Sequence, residues 1–264
     1  MGSATREALS AVREVLAQQG SAADLGVGEE LFSLARLLGS STQLRNALAD
    51  PAAEPDAKAE LVQRAFGGKV SGAALAGLST AARQRWSAPA DIVAGLEEAG
   101  VRVIAQSSPE SVRLGDELFA FAGAVQSDPE LELALRSKLA DPAAKVGVVE
   151  RLLTGKASAQ AIAIVRQLVA DPRGRGTREA LRWAQLTVAD QKRAVLATVT
   201  SAQALSAAQL DRLRSVLSAR YGKPVALNTV IDTSLIGGLR VRVGDDVIDS
   251  SIATRLTDVR QQLA

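Results

Sequence analysis

The feature of this sequence that most constrains its fold is an internal repeat at an offset of 87 residues, from Gly28 to Gly115. The segment GEELFSLA at Gly28–Ala35 recurs as GDELFAFA at Gly115–Ala122. The match continues without a gap, and positions identical at this offset include Lys58, Gly68, Lys69 and Ser71, with their counterparts Lys145, Gly155, Lys156 and Ser158. Self-similarity at a fixed spacing indicates a duplicated structural unit.

Each copy has the periodicity of packed helices. Apolar residues recur at three- and four-residue spacing, and glycine, proline and aspartate mark the breaks. Abundant alanine adds to the helical propensity. The first copy predicts helices over 4–19, 27–38, 42–49, 56–66 and 72–85, and the second over 110–126, 129–136, 142–153, 157–170 and 177–191. At the same offset, 89–106 lies opposite 2–19, so one helix is expected to close the first bundle and open the second.

After residue 191 the pattern changes from helical to extended. Ala194–Thr200 (AVLATVT) alternates and is rich in β-branched residues, which predicts a strand. Ser206 and Gln209 form a capping box for a helix over 207–221. Strands are predicted over 225–231, 238–243 and 247–248, with a final helix from Ser251. The predicted fold is mainly α: a tandem duplicated helical bundle (1–105 and 106–191, sharing 89–106) followed by a small α/β domain of βαββα type (192–264).

Composition removes several classes of site. The chain has no histidine and no cysteine, which excludes serine–histidine or thiol nucleophiles and histidine- or thiolate-ligated metals. With 31 basic against 29 acidic residues, it offers no basic run for nucleic acid. The longest uncharged run, 194–210, carries too many polar residues to span a membrane, so we expect membrane association only through a partner. We predict no metal and no cofactor.

Two kinds of loop have both a phosphate-binding and a structural interpretation. Gly68–Lys69 and Gly155–Lys156 lack the upstream glycine and the following Ser or Thr of a phosphate loop, which favours helix C-cap glycines. The basic loop at 173–178, with Arg173, Gly174, Arg175, Gly176 and Arg178, is interpreted as an exposed loop rather than a phosphate contact.

Other single features favour structural roles. Trp86 and Trp183 are expected to pack within the bundles. Gly244–Asp245 is expected to be a hairpin turn, in preference to a cation site with Asp246 and Asp249. Gly237–Gly238 predicts a bulge or a close backbone approach.

The C-terminal segment NTVIDTSLIGGLRVRVGDDVIDSSIATRLTDVRQQL resembles the delta-subunit family of F-type ATP synthases, also called oligomycin-sensitivity-conferring protein. Upstream, VTSAQALS and RYGKPV also resemble the family. Thr233 and Ser250 depart from it, at positions where proline and glycine are common. The resemblance implies partner-binding residues at Asp232, Leu235, Ile236, Gly237, Gly238, Arg240, Arg242, Gly244, Asp245 and Arg255.

The resemblance implies a non-catalytic peripheral-stalk (stator) subunit acting in proton-driven ATP synthesis. It would link the N-terminal helix of the catalytic-head alpha subunit to the C-terminal helix of the membrane-anchored b subunit. Its expected place is the cytoplasmic face of the cell membrane, as a peripheral protein. The duplicated bundle resembles the longer actinobacterial form, which in some relatives is fused behind a stalk segment. No spanning or stalk helix precedes Met1, so we expect a separate subunit or an excised portion.

Two alternatives stay open at this point. A generic α-helical repeat scaffold would have no β-containing end domain. An enzyme acting through carboxylates alone would have a concave cluster of Asp and Glu with raised pKa values.

Overall fold

The computed structural model describes residues 2–137, 139–235 and 237–249, and within them the chain is mostly helical with one small sheet. This confirms the predicted fold class, and the final helix predicted from Ser251 lies outside the described residues. The first helices are α1 Ser3–Gln18, α2 Leu25–Ser40, α3 Thr42–Ala49, α4 Pro55–Phe66, α5 Gly72–Arg83 and α6 Pro89–Ser107. They are followed by α7 Leu114–Ser127, α8 Pro129–Arg136, α9 Pro142–Leu153, α10 Ala159–Ala170 and α11 Thr177–Gln191. The C-terminal part contains β1 Val195–Ser201, α12 Ala207–Tyr221, β2 Val225–Ile231, β3 Leu239–Val243 and β4 Asp246–Asp249.

Side-chain caps fix where several helices begin. Asp128 Oδ1 accepts hydrogen bonds from the amides of Glu130 and Leu131, both at 3.0 Å, at the start of α8. The predicted capping box is also present, because the Ser206 amide donates to Gln209 Oε1 at 2.8 Å and the Gln209 amide donates to Ser206 Oγ at 3.3 Å. These caps satisfy amides that have no partner within the helix.

The two copies repeat a hydrogen-bonded cap as well as a helix pattern. Ser71 Oγ donates to Glu30 Oε2 at 2.5 Å, and Ser158 Oγ donates to Glu117 Oε2 at the same distance. Both serines also cap the helix that follows, α5 or α10. In each copy a carboxylate of the second helix therefore holds the start of the fifth.

Helix α6 contributes to two hydrophobic cores. Ile92, Leu96 and Val103 pack in the core of the first copy, whereas Val101 and Ile104 pack in the core of the second. A third core, around Val199 and Val241, lies in the C-terminal part.

Two glycines bring α2 and α6 unusually close together. A Cβ at Gly28 would lie 2.4 Å from Ile104 Cγ1, and one at Gly100 would lie 2.5 Å from the Phe32 ring. Larger residues cannot fit at this crossing without displacing a core side chain. The helix α6 therefore lies deep inside the helical part of the chain.

The C-terminal sheet is mixed, with strand order β2–β1–β3–β4. Strands β1 and β2, which helix α12 connects in sequence, pair in parallel. Strand β3 pairs antiparallel with both β1 and β4. One face carries Ala197, Val199, Val241 and Val243, which pack with Leu217 of α12. The opposite face, here called the outer face, carries Thr198, Thr200, Arg240 and Arg242.

One predicted helix boundary and one predicted cap are corrected by the structure. Helix α7 begins at Leu114 instead of residue 110, because a turn closed by the Val112 amide on the Pro109 carbonyl at 3.0 Å precedes it. The glycines of the two Gly-Lys pairs are not themselves C-caps, since Gly67 and Thr154 occupy that position.

Gly68 and Gly155 instead occupy the left-handed position of the next turn. Their φ values are 73° and 76°, and each turn is closed by the amide of the following lysine at 2.9 Å. Glycine reaches this backbone region without steric cost. Both pairs are thus turn residues. Within the described ranges, no helix has the length and apolar character needed to cross a bilayer.

Candidate partner-binding surface

Six of the eight described residues that the family resemblance assigns to partner binding lie in two groups at opposite ends of β3, and Arg240 and Arg242 lie on the strand between them. Asp232, Leu235, Gly237 and Gly238 belong to the loop between β2 and β3, beside the end of β1 at Ser201. Gly244 and Asp245 form the turn between β3 and β4, beside the start of β1. A five-residue strand separates the two groups by roughly 14 Å. They do not form one compact site.

Asp232 organises the loop between β2 and β3. Its Oδ1 accepts hydrogen bonds from the Ser234 hydroxyl at 2.6 Å and from the Ser234 amide at 2.9 Å. These two bonds lower the pKa of Asp232 below its usual value. Gly238, at the end of the loop, has a φ of 86°, which a residue with a Cβ adopts only with strain. The loop is therefore held by local bonds, and its residues Thr233, Ser234 and Gly238 are exposed.

Arg240 and Arg242 are both exposed on the outer face of the sheet. Arg240 Nε donates to Asp249 Oδ2 at 3.0 Å across the β3–β4 pair. Val243 pairs with Asp246, and Gly244 has a φ of 59°, so the predicted hairpin turn is confirmed. Ile236 and Arg255, also assigned to partner binding, lie outside the described residues.

A cleft of about 370 Å³ separates the outer face of the sheet from α7 and α11 of the second copy. Its floor is fixed by a hydrogen bond of 3.0 Å from Asn228 Nδ2 to Gln185 Oε1, between two buried side chains. Its large apolar side chains are Phe119, Leu186, Leu196 and Val230, and its charged ones are Arg178, Arg182 and Arg242. Sequence patterns do not show this cleft, because α11 and β2 meet only through tertiary packing.

A buried carboxylate on α6 holds the loop between α10 and α11. The side chain of Glu97 is 1% exposed. Both of its oxygens accept hydrogen bonds from Arg175 Nη2 at 2.7 Å, and Oε2 accepts another from Arg173 Nη1 at 3.1 Å. The interpretation of 173–178 as an exposed loop is therefore wrong for these two arginines, whose positive charges are paired with Glu97.

Trp183 completes the surroundings of Arg175. The Arg175 guanidinium lies 4.5 Å from the centre of the Trp183 ring, a cation–π arrangement. Trp183 also packs against the second core, and Trp86 is buried with its indole N–H donating to the Ala81 carbonyl at 2.8 Å. The prediction that both tryptophans pack is confirmed.

The neighbouring carboxylate, Glu98, joins three helices. Arg102 Nε of α6 donates to Glu98 Oε1 at 2.8 Å, and Arg13 of α1 donates to the same oxygen. Arg102 Nη2 also bonds Asp190 of α11 at 2.7 Å. Sequence reasoning missed this pair of carboxylates. The available signal was two adjacent acids in the middle of α6, where the other residues from Ile92 to Ala105 are apolar except for Arg102.

Comparisons with known proteins give a consistent assignment. Residues 101–263 match the family model for the ATP synthase delta (OSCP) subunit. ATP synthase subunit delta of Leifsonia xyli is 52% identical over 264 residues, covering 100% of both chains. The subunits delta of Kineococcus radiotolerans and Streptomyces coelicolor are 40% and 39% identical, covering 98% and 100% of this chain and 96% and 98% of theirs.

Solved structures were also matched. A chain in the cryo-EM structure of the Toxoplasma gondii mitochondrial ATP synthase hexamer aligns with a TM-score of 0.39 and 21% identity, over 63% of this chain and 94% of that chain. So weak a likeness has no bearing on the assignment, which rests on the sequence matches over the whole length. By those matches, the chain belongs to the ATP synthase delta (OSCP) subunit family.

Proposed function

We propose that this chain is the adaptor at the top of the peripheral stalk. Its helical part would bind the N-terminal helix of the catalytic-head alpha subunit, and its C-terminal sheet domain would hold the C-terminal helix of the b subunit. Family membership already makes the chain a non-catalytic subunit of an F-type ATP synthase that associates with other subunits of the complex. The proposal adds which partner helices it holds and where.

The observation that carries the proposal is the mechanical continuity of the helical part. Helix α6 lies in both helical cores, and its two buried carboxylates bond arginines from α1 and from the α10–α11 loop. An adaptor that resists rotor torque must not deform between the two sites at which it binds its partners. Extensive apolar packing plus cross-copy ion pairs supports such stiffness.

The domain division 1–105, 106–191 and 192–264 is part of the same proposal. Three hydrophobic cores support it, with α6 shared between the first two. The partner-binding residues of the sheet domain, from Asp232 to Asp245, stay a prediction. We place the chain at the cytoplasmic face of the cell membrane, peripheral through the complex.

The main alternative, a generic helical repeat scaffold, is not favoured. That hypothesis requires a chain without a β-containing end domain, whereas residues 195–249 contain a four-stranded sheet.

The test is binding of the full-length chain to each partner separately. Purified chain is mixed with the catalytic head, and in parallel with the C-terminal segment of the b subunit, and complexes are measured by size-exclusion chromatography at micromolar concentration. The proposal expects a complex with each. The absence of a complex with both would refute it.

A further inference from the structure

The cleft between the second helical copy and the sheet is incompletely covered, and the internal repeat shows how the equivalent place is covered in the first copy. Phe32 of α2 and Phe119 of α7 occupy equivalent repeat positions. Phe32 is 2% exposed and belongs to the core of the second copy, which seals it. Phe119 faces the C-terminal sheet, where Phe32 packs against a helical bundle, and it is only half-buried in the wall of the cleft.

Two apolar side chains at the mouth of the cleft are open to solvent. Leu186 on α11 is 45% exposed and Val230 on β2 is 38% exposed. Both line the same cleft as Phe119. Together they form an apolar strip bounded by helices on one side and by the sheet on the other.

The charge around this strip has one sign. The described residues that line the cleft include three arginines and no aspartate or glutamate. Arg178 is paired with Glu132 at 3.4 Å. Arg182 and Arg242 form no ion pair with any residue that the structure describes, and both are exposed. An occupant that matches this surface must be apolar on one side and acidic on the other.

We propose that the cleft binds an acidic, amphipathic α-helix of another subunit of the complex. Its apolar side would enter between Leu186 and Val230, and its carboxylates would pair with Arg182 and Arg242. This is the helix-in-groove mode, in which apolar residues at three- and four-residue spacing anchor the helix. The inference rests on the proposed function as an adaptor, and it names a docking place and the chemistry of the docked segment.

The chain's own last residues are a poorer match by charge. Residues 250–264 carry Arg255 and Arg260 against Asp258, so their side chains are net positive. This segment has one acidic side chain for the two arginines of the cleft and would bring two further arginines beside them, which is unfavourable. The acidic helix is therefore assigned to another chain.

The first experiment uses the absence of cysteine from the sequence. Leu186→Cys in the full-length chain is labelled with a thiol-directed photo-crosslinker and rebound to ATP synthase particles stripped of this chain. The matched control is Val216→Cys, on the exposed side of α12, where the native side chain is 58% exposed. We expect Leu186→Cys to crosslink to a segment of another subunit with carboxylates at helical spacing. A crosslink only to residues 250–264, or equal products from both variants, would overturn the proposal.

The second experiment reverses the two free charges. Arg182→Glu with Arg242→Glu is expected to weaken rebinding to the stripped particles about tenfold at low salt, and the difference should vanish near about 1 M salt. Arg212→Glu with Lys223→Glu changes the net charge equally away from the cleft, and is expected to bind like the unmodified chain. Circular dichroism checks that both variants fold.

The outcomes separate this inference from the proposed function. If the unmodified chain fails to rebind stripped particles, both are wrong. If it rebinds but the reversed-charge variant binds with unchanged affinity, only the cleft inference is wrong. If Arg182→Glu with Arg242→Glu does not fold, the crosslinking comparison still decides.

Discussion

Replacing Glu97 by glutamine tests how strongly the buried ion pairs join the two helical copies. Glutamine keeps the shape of the side chain and one acceptor oxygen but removes the negative charge. The Arg173 and Arg175 guanidiniums, 22% and 18% exposed, would then face each other without a counter-charge. Arg173 also has a φ of 51°, so its backbone is held in a region that costs about 1–2 kcal/mol. Loss of Glu97 removes the interaction that keeps it there.

The expected cost follows from burial. Removing one partner of a buried ion pair destabilises a protein by about 3–5 kcal/mol, and the retained acceptor favours the lower end, about 3 kcal/mol. For a chain of this size, about 3 kcal/mol corresponds to a fall in Tm of roughly 6–12 °C. The assay is thermal and urea unfolding of the full chain, followed by far-ultraviolet circular dichroism.

The control for this prediction is an exposed ion pair in the same chain. Asp56 bonds Arg83 at 3.0 Å, with side chains 87% and 52% exposed. Asp56→Asn is expected to cost less than about 1 kcal/mol, since solvent screens such pairs. If Glu97→Gln were no more destabilising than Asp56→Asn, the reasoning that these carboxylates tie the copies together would be wrong.

Three further predictions use features specific to this fold. Gly28→Ala is expected to lower the free energy of unfolding by about 2–3 kcal/mol, because its Cβ would overlap a core side chain. The control is Gly115→Ala at the equivalent repeat position, where a Cβ would meet nothing within 4 Å, and it should be neutral or slightly stabilising. Urea unfolding measures both. Ser158→Ala is expected to cost about 1–2 kcal/mol through the lost cap, and equal protection of α10 amides from hydrogen exchange with and without the substitution would contradict this. Ser234→Ala is expected to raise the pKa of Asp232 towards 3.8, seen by NMR titration of the carboxyl carbon. The lowered pKa stabilises the folded chain at pH values above 3.8, and this contribution is lost as the pH falls through the folded pKa.

Much of the fold could be predicted because residues close together in sequence determine where its helices begin and end. Asp128 before Pro129 and Ser206 before Gln209 fix helix starts through bonds spanning three residues or fewer. The repeat then doubles the evidence, since each copy supports the helix assignment of the other. The strands were recognisable because Val195–Ser201 and its neighbours alternate between a buried and an outer face.

What could not be predicted depends on contacts between distant residues. Glu97 meets Arg175 across 78 positions, and no local pattern distinguishes such a buried arginine from one in an exposed loop. The cleft beside Leu186 likewise depends on how the sheet docks against α11. The site residues from Asp232 to Asp245 came from family resemblance, and the structure adds that the described ones lie along β3 and in the loops at its two ends.

We propose that this chain transmits force between the catalytic head and the stalk, and the coupling of ATP hydrolysis to proton pumping depends on that role. ATP-driven proton pumping is measured in membrane particles depleted of this chain, before and after adding it back. We expect depleted particles to hydrolyse ATP with little proton pumping, and the added full-length chain to restore pumping. If depleted particles stay assembled and pump protons at the original rate, this chain does not transmit the force.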